Sequence, residues 1–231
     1  MCGRYTVRAH ARKLVERFRA EIADAAGIGL FPRYNVAPSQ PVPVVIVPSS
    51  GVERRLTKMR WGLVPSWSKD ANSGIINARS ETVATKPSFR NGFKRRRCLI
   101  PADGFYEWKA IGEKTKQPFY IRMADEEPFG FAGLWEHWQD ANGNELETCA
   151  IITTAANELM ATIHDRMPVI IDPTDYDRWL DHHDEDTVRV VDLLRPYPAD
   201  AMIATPVSTY VNKPQNEGPR CVAPIADGAI L

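Results

Sequence analysis

Short apolar runs separated by turn residues dominate the pattern along this chain, and a helical period appears in few places. Near the N-terminus, Leu14, Phe18 and Ile22 recur every four residues, which predicts a helix from about Ala9 to Ala25. Shorter helices are expected near Ser80 and over Glu158–Ile163, Pro173–Leu180 and Thr187–Leu194.

Most other apolar runs are rich in β-branched and aromatic residues and follow one another at hairpin distances, which predicts strands. The main predicted strands are Val42–Val47, Val52–Arg60, Phe105–Lys109, Phe119–Met123, Phe129–Trp138, Glu147–Thr154, Val169–Ile171 and Met202–Val207. Strands outnumber helices, and no repeat, low-complexity tract or linker interrupts the chain. We therefore expect one α+β domain over residues 1–231, built on a largely antiparallel, barrel-like sheet with flanking helices.

Composition excludes several classes of protein. Lys+Arg and Asp+Glu both count 29, so overall charge cannot attract nucleic acid, and any DNA binding needs a local basic patch. Four separated cysteines without a Cys-x-x-Cys pair argue against a zinc ribbon and against a disulfide framework. The sequence shows no secretory segment, membrane span or lipidation motif, and we expect a cytoplasmic protein.

Cys2 is the first candidate reactive residue. Removal of Met1 would leave Cys2 with a free α-amine beside its own thiol, a pair that an internal cysteine cannot offer. Such an aminothiol reacts with an aldehyde: the amine forms a Schiff base and the thiol closes a thiazolidine ring. The alternative is that Cys2 is an ordinary small residue at a chain terminus.

A basic run and a loop tryptophan provide a candidate DNA-binding surface. The residues from Lys86 to Arg97 include six cations and two phenylalanines, and they form either a phosphate-binding patch or a solvated face. Pro65 ends a strand and leaves Trp67 in a loop, where it either packs or stacks on bases.

Polar residues at the ends of predicted elements supply further candidates. Asn77 is expected at the end of a short buried strand. Glu107 alternates with Tyr106 and Trp108, so it faces either solvent or a pocket. His164 is expected at the C-terminal end of a short helix, where the alternative is a structural cap.

Seven motifs in order resemble the SRAP family, the SOS-response-associated peptidases that process abasic sites in single-stranded DNA. They are Met1–Tyr5, Arg33–Pro38, Met59–Pro65, Asn77–Thr82, Cys98–Pro101, Gly104–Trp108 and His164–Pro168. The resemblance extends from Cys2 to about Val211 and implies a thiazolidine crosslink between the mature Cys2 and the ring-opened sugar. It also implies autopeptidase activity that releases Met1, and strand cleavage at abasic sites by some members.

The resemblance further implies that Asn77, Glu107 and His164 surround Cys2 as catalytic residues. Glu107 would move protons, His164 would bind the opened sugar or its phosphate and assist reversal, and Asn77 would hold the α-amine or a sugar hydroxyl. Predicted DNA contacts are Arg4, Trp67, Arg79, Arg90 and Thr153, together with the cations at 94–97. The expected partner is single-stranded DNA with abasic sites, bound by a monomer without cofactor or metal ion.

Two other functions remain open from the residues themselves. Cys2, His164 and Glu107 could act as nucleophile, base and orienting group of a cysteine peptidase, although no local protease signature accompanies them. Alternatively, the basic run and Trp67 could serve a non-catalytic reader of DNA ends or modified bases.

Overall fold

The computed structural model describes residues 2–23, 32–48, 51, 53–72, 74–182 and 187–225. The strands are β1 (Tyr5–Val7), β2 (Ala20–Ile22), β3 (Arg33–Val36), β4 (Pro41–Ile46), β5 (Arg54–Trp61), β6 (Asn77–Arg79), β7 (Arg97–Ala102), β8 (Gly104–Ala110), β9 (Lys116–Met123), β10 (Phe129–Gln139), β11 (Glu145–Ala155), β12 (Arg166–Pro168), β13 (Ile170–Ile171) and β14 (Met202–Pro206). The α-helices are α1 (Ala11–Phe18), α2 (Arg90–Arg95), α3 (Glu158–Ala161), α4 (Tyr176–Leu180) and α5 (Val188–Val191).

Within the described residues, five strands close into a ring in the order β4, β5, β11, β10 and β7. The pairings in this ring are antiparallel except the one between β5 and β11. Closure removes exposed sheet edges, and the enclosed side chains form the main core. The predicted α+β class with a largely antiparallel, barrel-like sheet is confirmed.

A second antiparallel sheet carries the N-terminal strand, in the order β14, β9, β8, β1 and β3. Tyr5 of β1 pairs with Phe105 of β8 on one side and with Val36 of β3 on the other. The aromatic ring of Tyr5 packs edge to face against Trp61 of β5 and Phe131 of β10, at centroid distances of 5.3 and 5.7 Å. These contacts fix β1, and hence the adjacent Cys2, against the main core.

The first helix is shorter than its period predicts. It ends at Phe18 because Arg19 adopts a left-handed conformation, with φ of 48°, which stops the helix. The chain then extends as β2, whose Ala20 pairs in parallel with Arg54 of β5. The prediction that the helix continues through Ile22 is therefore wrong, and its end at Ala25 lies outside the described residues.

Local predictions succeeded where neighbouring strands pair. The hairpins β4–β5, β8–β9 and β10–β11 are confirmed. Asn157 caps α3, since its side chain accepts a hydrogen bond from the Met160 amide at 2.8 Å. The helix expected near Ser80 is wrong, because turns occupy this stretch until α2 begins at Arg90. In the part of the chain that the structure covers, no helix is long and apolar enough to cross a membrane.

Candidate active site

Cys2 is fully buried and is tied to β6 through its carbonyl group. The Asn77 side chain donates a hydrogen bond from Nδ2 to the Cys2 oxygen at 2.9 Å. Asn77 is held there because β6 pairs in parallel with β11, with Asn77 opposite Ile151. Its Oδ1 is buried and accepts no hydrogen bond within the described residues, so this oxygen is available to a donor that enters the site.

Glu107 lies on β8, the strand next to β1, and only 2% of its surface is exposed. Of the two predicted orientations, the buried one is therefore correct. Burial raises the pKa of Glu107, and an electrostatic interaction with His164 is one of the effects that partly oppose this rise. A carboxyl group in this environment can hold or release a proton nearer to neutral pH than an exposed one.

The Cys2 thiol is held in its protonated form. Burial is the main cause that raises the pKa of this thiol well above its usual range, and the negative charge of Glu107 adds to the effect. The site therefore brings together a protonated thiol and a carboxyl group whose ionisation is disfavoured.

His164 follows α3 and is partly exposed at the edge of this group. Its Nδ1 accepts a hydrogen bond from the Arg166 amide at 3.0 Å. The Asp165 carboxylate lies 2.9 Å from the same nitrogen, a contact that is attractive only if the ring is protonated there. The electrostatic interaction between His164 and Glu107 shows that these two side chains lie near each other.

Trp67 is 67% exposed, so its loop does not bury it by packing. It borders a surface pocket of about 440 Å³ together with Arg90 and Lys94. The loop is anchored from below, since Trp138 donates from its indole nitrogen to the Ser68 oxygen at 2.7 Å. Trp67 is therefore presented to solvent beside exposed cations.

The predicted cations differ in how much of their charge is available. Arg79 and Arg90 are exposed, as are Lys86 and Lys94. Arg96 instead pairs with Glu136 at 2.7 Å. Arg97 is buried and donates to the carbonyl groups of Phe93, Lys94, Trp179 and Asp181, so its predicted role as a phosphate contact is wrong.

Two other predicted DNA contacts are engaged inside the protein. Arg4 is partly buried and donates from Nη1 to Asn35 Oδ1 at 2.7 Å and to the Val211 oxygen at 2.8 Å. Thr153 is fully buried, and its hydroxyl donates to the Ala78 oxygen at 3.5 Å. In this structure the Thr153 hydroxyl is therefore engaged inside the protein, and its contact with a phosphate stays a prediction.

The sequence interpretation missed an ion pair beside the site. Arg166 donates its amide hydrogen to His164, and its guanidinium group binds both carboxylate oxygens of Glu81. Glu81 lies in the motif that begins at Asn77, and Arg166 lies in the motif that begins at His164. Their place in these motifs was the one feature of the sequence that could have indicated a role near the site.

The chain matches one protein family along most of its length. The family model for SOS response associated peptidase (SRAP) matches residues 1–214. Abasic site processing protein YoqW of Bacillus subtilis is 46% identical over 224 residues, covering 96% of this chain and 99% of the relative. Abasic site processing protein HMCES of Gallus gallus is 36% identical, covering 85% of this chain and 67% of the relative.

A solved structure agrees with this match. The crystal structure of a protein from Bacteroides thetaiotaomicron superposes with a TM-score of 0.85 at 28% identity, covering 97% of this chain and all of that one. Sequence and fold therefore lead to the same conclusion: this chain belongs to the SOS response associated peptidase (SRAP) family.

Proposed function

We propose that this protein processes abasic sites in single-stranded DNA and that the mature Cys2 forms a covalent thiazolidine crosslink with the opened sugar. The observation that carries the proposal is a buried Cys2 that is bound by Asn77 and lies in the electrostatic field of Glu107, which in turn interacts with His164. The names of the similar proteins, which describe abasic site processing, support the same activity.

The chemistry requires that Met1 be removed, so that the Cys2 nitrogen becomes an amine. This nitrogen attacks the aldehyde carbon C1′ of the ring-opened sugar and gives a carbinolamine, which loses one water to form a Schiff base. The thiol then adds across the C=N bond, with sulfur joining C1′ and its proton moving to nitrogen. One C–N bond and one C–S bond form, and one water molecule leaves.

Glu107 is the proposed proton carrier in these steps. Dehydration of the carbinolamine needs a proton at the departing oxygen, and ring opening needs a proton at the sugar oxygen. Because burial raises the pKa of Glu107, its carboxyl group gives up and recovers a proton more readily near neutral pH. Strand cleavage by a lyase reaction would branch from the same Schiff base before the thiol closes the ring.

Asn77 and His164 are proposed to position the reactants. The unpaired Asn77 Oδ1 can accept a hydrogen bond from the Cys2 amine or from a sugar hydroxyl without adding charge. His164, at the partly exposed edge, is proposed to bind the opened sugar or its phosphate and to assist reversal of the crosslink.

The exposed surface is proposed to hold single-stranded DNA or a single-strand junction. An exposed tryptophan such as Trp67 can stack on an unpaired base or on the end of a duplex. Arg79, Arg90 and Lys94 are exposed and suited to phosphate groups, which carry no sequence information. Binding should therefore weaken as salt concentration rises and should tolerate different sequences.

A denaturing gel distinguishes this proposal from the two alternatives. The protein is incubated with a single-stranded oligonucleotide that carries one abasic site, and a heat-stable shifted band is expected. Cys2→Ala and methoxyamine-blocked DNA serve as controls that should give no stable band. Peptide cleavage without a shift would favour a cysteine peptidase, and binding seen only in native gels would favour a non-catalytic reader.

A further inference from the structure

We infer that Glu81 and Arg166 form a positioning pair, which holds the His164 imidazole near Glu107 as the tautomer with its proton on Nε2. The inference rests on the proposed function for its catalytic meaning. Its structural part concerns the protein without DNA and can be tested separately.

The pair joins two segments that carry site residues. Arg166 donates from Nη1 to Glu81 Oε1 at 2.5 Å and from Nη2 to Oε2 at 3.0 Å, a bidentate arrangement with defined geometry. The Arg166 guanidinium group also donates to the backbone carbonyl oxygen of Thr153 at 2.7 Å. The Ser80 amide donates to this same oxygen at 2.9 Å, so Thr153 is a shared anchor.

The topology explains why this connection reaches the site. Strand β11 lies between β6 and β12, and Thr153 of β11 pairs with Arg79 on one side and with Pro168 on the other. The ion pair between Glu81 and Arg166 spans β11 at Thr153. It therefore links the strand that presents Asn77 to the residue two positions after His164, and it fixes the distance between these two site residues.

The backbone hydrogen bond to His164 selects the tautomer. The Arg166 amide, 3.0 Å from Nδ1, can only donate, so Nδ1 must be unprotonated and the proton of a neutral ring must reside on Nε2. The Asp165 carboxylate, 2.9 Å from Nδ1, would require the opposite tautomer or a charged ring. Asp165 is 86% exposed and can turn into solvent, whereas the Arg166 amide is fixed by β12, so the backbone contact decides.

An Nε2–H group is a hydrogen-bond donor, which suits the role proposed for His164 towards a sugar or phosphate oxygen. The contacts of the Arg166 side chain with Glu81 and Thr153 add to the pairing of β12 with β11 in holding this residue. Loss of Glu81 should therefore loosen the residue that fixes the His164 ring. Since 52% of the Glu81 side chain is exposed, its replacement should leave folding intact.

Nitrogen-15 NMR of the imidazole groups tests the assignment on the protein without DNA. His164→Ala identifies the resonances of His164 in the wild type. We expect wild-type Nδ1 to resonate as an unprotonated nitrogen and Nε2 as a protonated one. In Glu81→Gln and in Arg166→Gln we expect a mixture of tautomers, together with crosslinking slower by about tenfold, as expected for a displaced reacting group.

Glu127→Gln is the matched control, because Glu127 forms a partly exposed ion pair with Lys13 away from these strands. It should change neither the NMR pattern nor the rate. A wild-type proton on Nδ1, or an unchanged tautomer and rate in Glu81→Gln, would overturn the inference. A wild type that forms no crosslink would overturn the proposed function instead, while the NMR result would still decide the tautomer.

Discussion

Replacement of Asp103 by alanine tests whether a buried carboxylate holds the strand that follows Cys2. Asp103 is 5% exposed and accepts hydrogen bonds from Thr6 Oγ1 at 2.5 Å, from the Arg8 amide at 2.5 Å and from the Ala9 amide at 3.0 Å. Arg8 Nε adds an ion pair at 3.0 Å. One side chain thus satisfies the end of β1 and the turn that leads to α1.

The expected loss of stability follows from these contacts. A hydrogen bond to a charged group contributes about 1.5–3 kcal/mol. The loss of all three bonds at these values is the upper limit for the decrease in the free energy of unfolding. The loss is smaller here because the Arg8 and Ala9 amides are only partly buried and can bind water. The Thr6 hydroxyl also retains its hydrogen bond to the backbone oxygen of Gly104 at 3.3 Å. We therefore expect about 1 kcal/mol per bond, or about 3 kcal/mol in total.

Thermal unfolding followed by circular dichroism measures this loss. For a chain of this length, about 3 kcal/mol corresponds to a Tm lower by about 6–12 °C. Asp140→Ala is the matched control. Asp140 also accepts three hydrogen bonds, from Asn142 N, Asn144 N and Asn144 Nδ2, each at 2.8 Å, but it does so in an exposed turn.

The control should lower Tm much less, because water replaces the lost partners in an exposed turn. Crosslinking by Asp103→Ala should also slow below its Tm, since a frayed β1 no longer fixes Cys2. Equal losses of Tm in the two variants would refute the reasoning that burial sets the effect. An unchanged Tm in Asp103→Ala would refute the anchoring role itself.

Other predictions concern the site and the DNA-binding surface. Because burial raises the pKa of Glu107, the folded protein retains this proton above the unfolded pKa of about 4.3, and stability falls as pH rises towards the folded pKa. Glu107→Gln should remove this dependence of unfolding free energy on pH, measured by urea titrations at several pH values, and should be at least as stable as the wild type at neutral pH. It should also crosslink more slowly. An unchanged pH dependence and an unchanged rate would contradict the role of Glu107. Trp67→Ala should leave Tm unchanged and weaken noncovalent binding of single-stranded DNA by about 1–3 kcal/mol in fluorescence titrations, and equal affinity would exclude stacking. Arg90→Ala should reduce the slope of log K against log salt by about 0.7, whereas an unchanged slope would exclude a phosphate contact. In Gly74→Ala the new Cβ would lie 2.6 Å from the backbone oxygen of Gly62, so Tm should fall and the binding contributed by Trp67 should be lost. An unchanged Tm and affinity would show that the backbone at Gly62 and Gly74 can relax.

The sequence predicted the parts of the fold that depend on neighbouring residues. The hairpins β4–β5, β8–β9 and β10–β11 join consecutive strands, so hydrophobic pattern and turn residues were sufficient. The parallel pairings of β11 with β5 and β6 join distant segments and leave no local pattern. The end of α1 depends on one residue, Arg19, whose left-handed conformation is uncommon for a residue with a side chain.

The site residues were accessible from the sequence mainly through the family motifs. Alternation alone left Glu107 either exposed or buried, and its burial depends on the packing of β8 beside β1. The basic run suggested that Arg97 was exposed, but β7 carries it into the interior, where carbonyl groups satisfy its charge. The ion pair between Glu81 and Arg166 joins residues 85 positions apart, a separation that sequence pattern cannot resolve.

Intact mass spectrometry of the protein after incubation with an abasic single-stranded oligonucleotide tests the central claim most directly. The account predicts one adduct, with the mass of the chain lacking Met1 plus the DNA minus one water, located at Cys2 by peptide mapping. A variant with an extra residue that stays attached ahead of Cys2 should form no stable adduct, because its Cys2 nitrogen is an amide. An adduct located at a lysine, or one formed at the wild-type rate by the extended variant, would contradict the aminothiol mechanism.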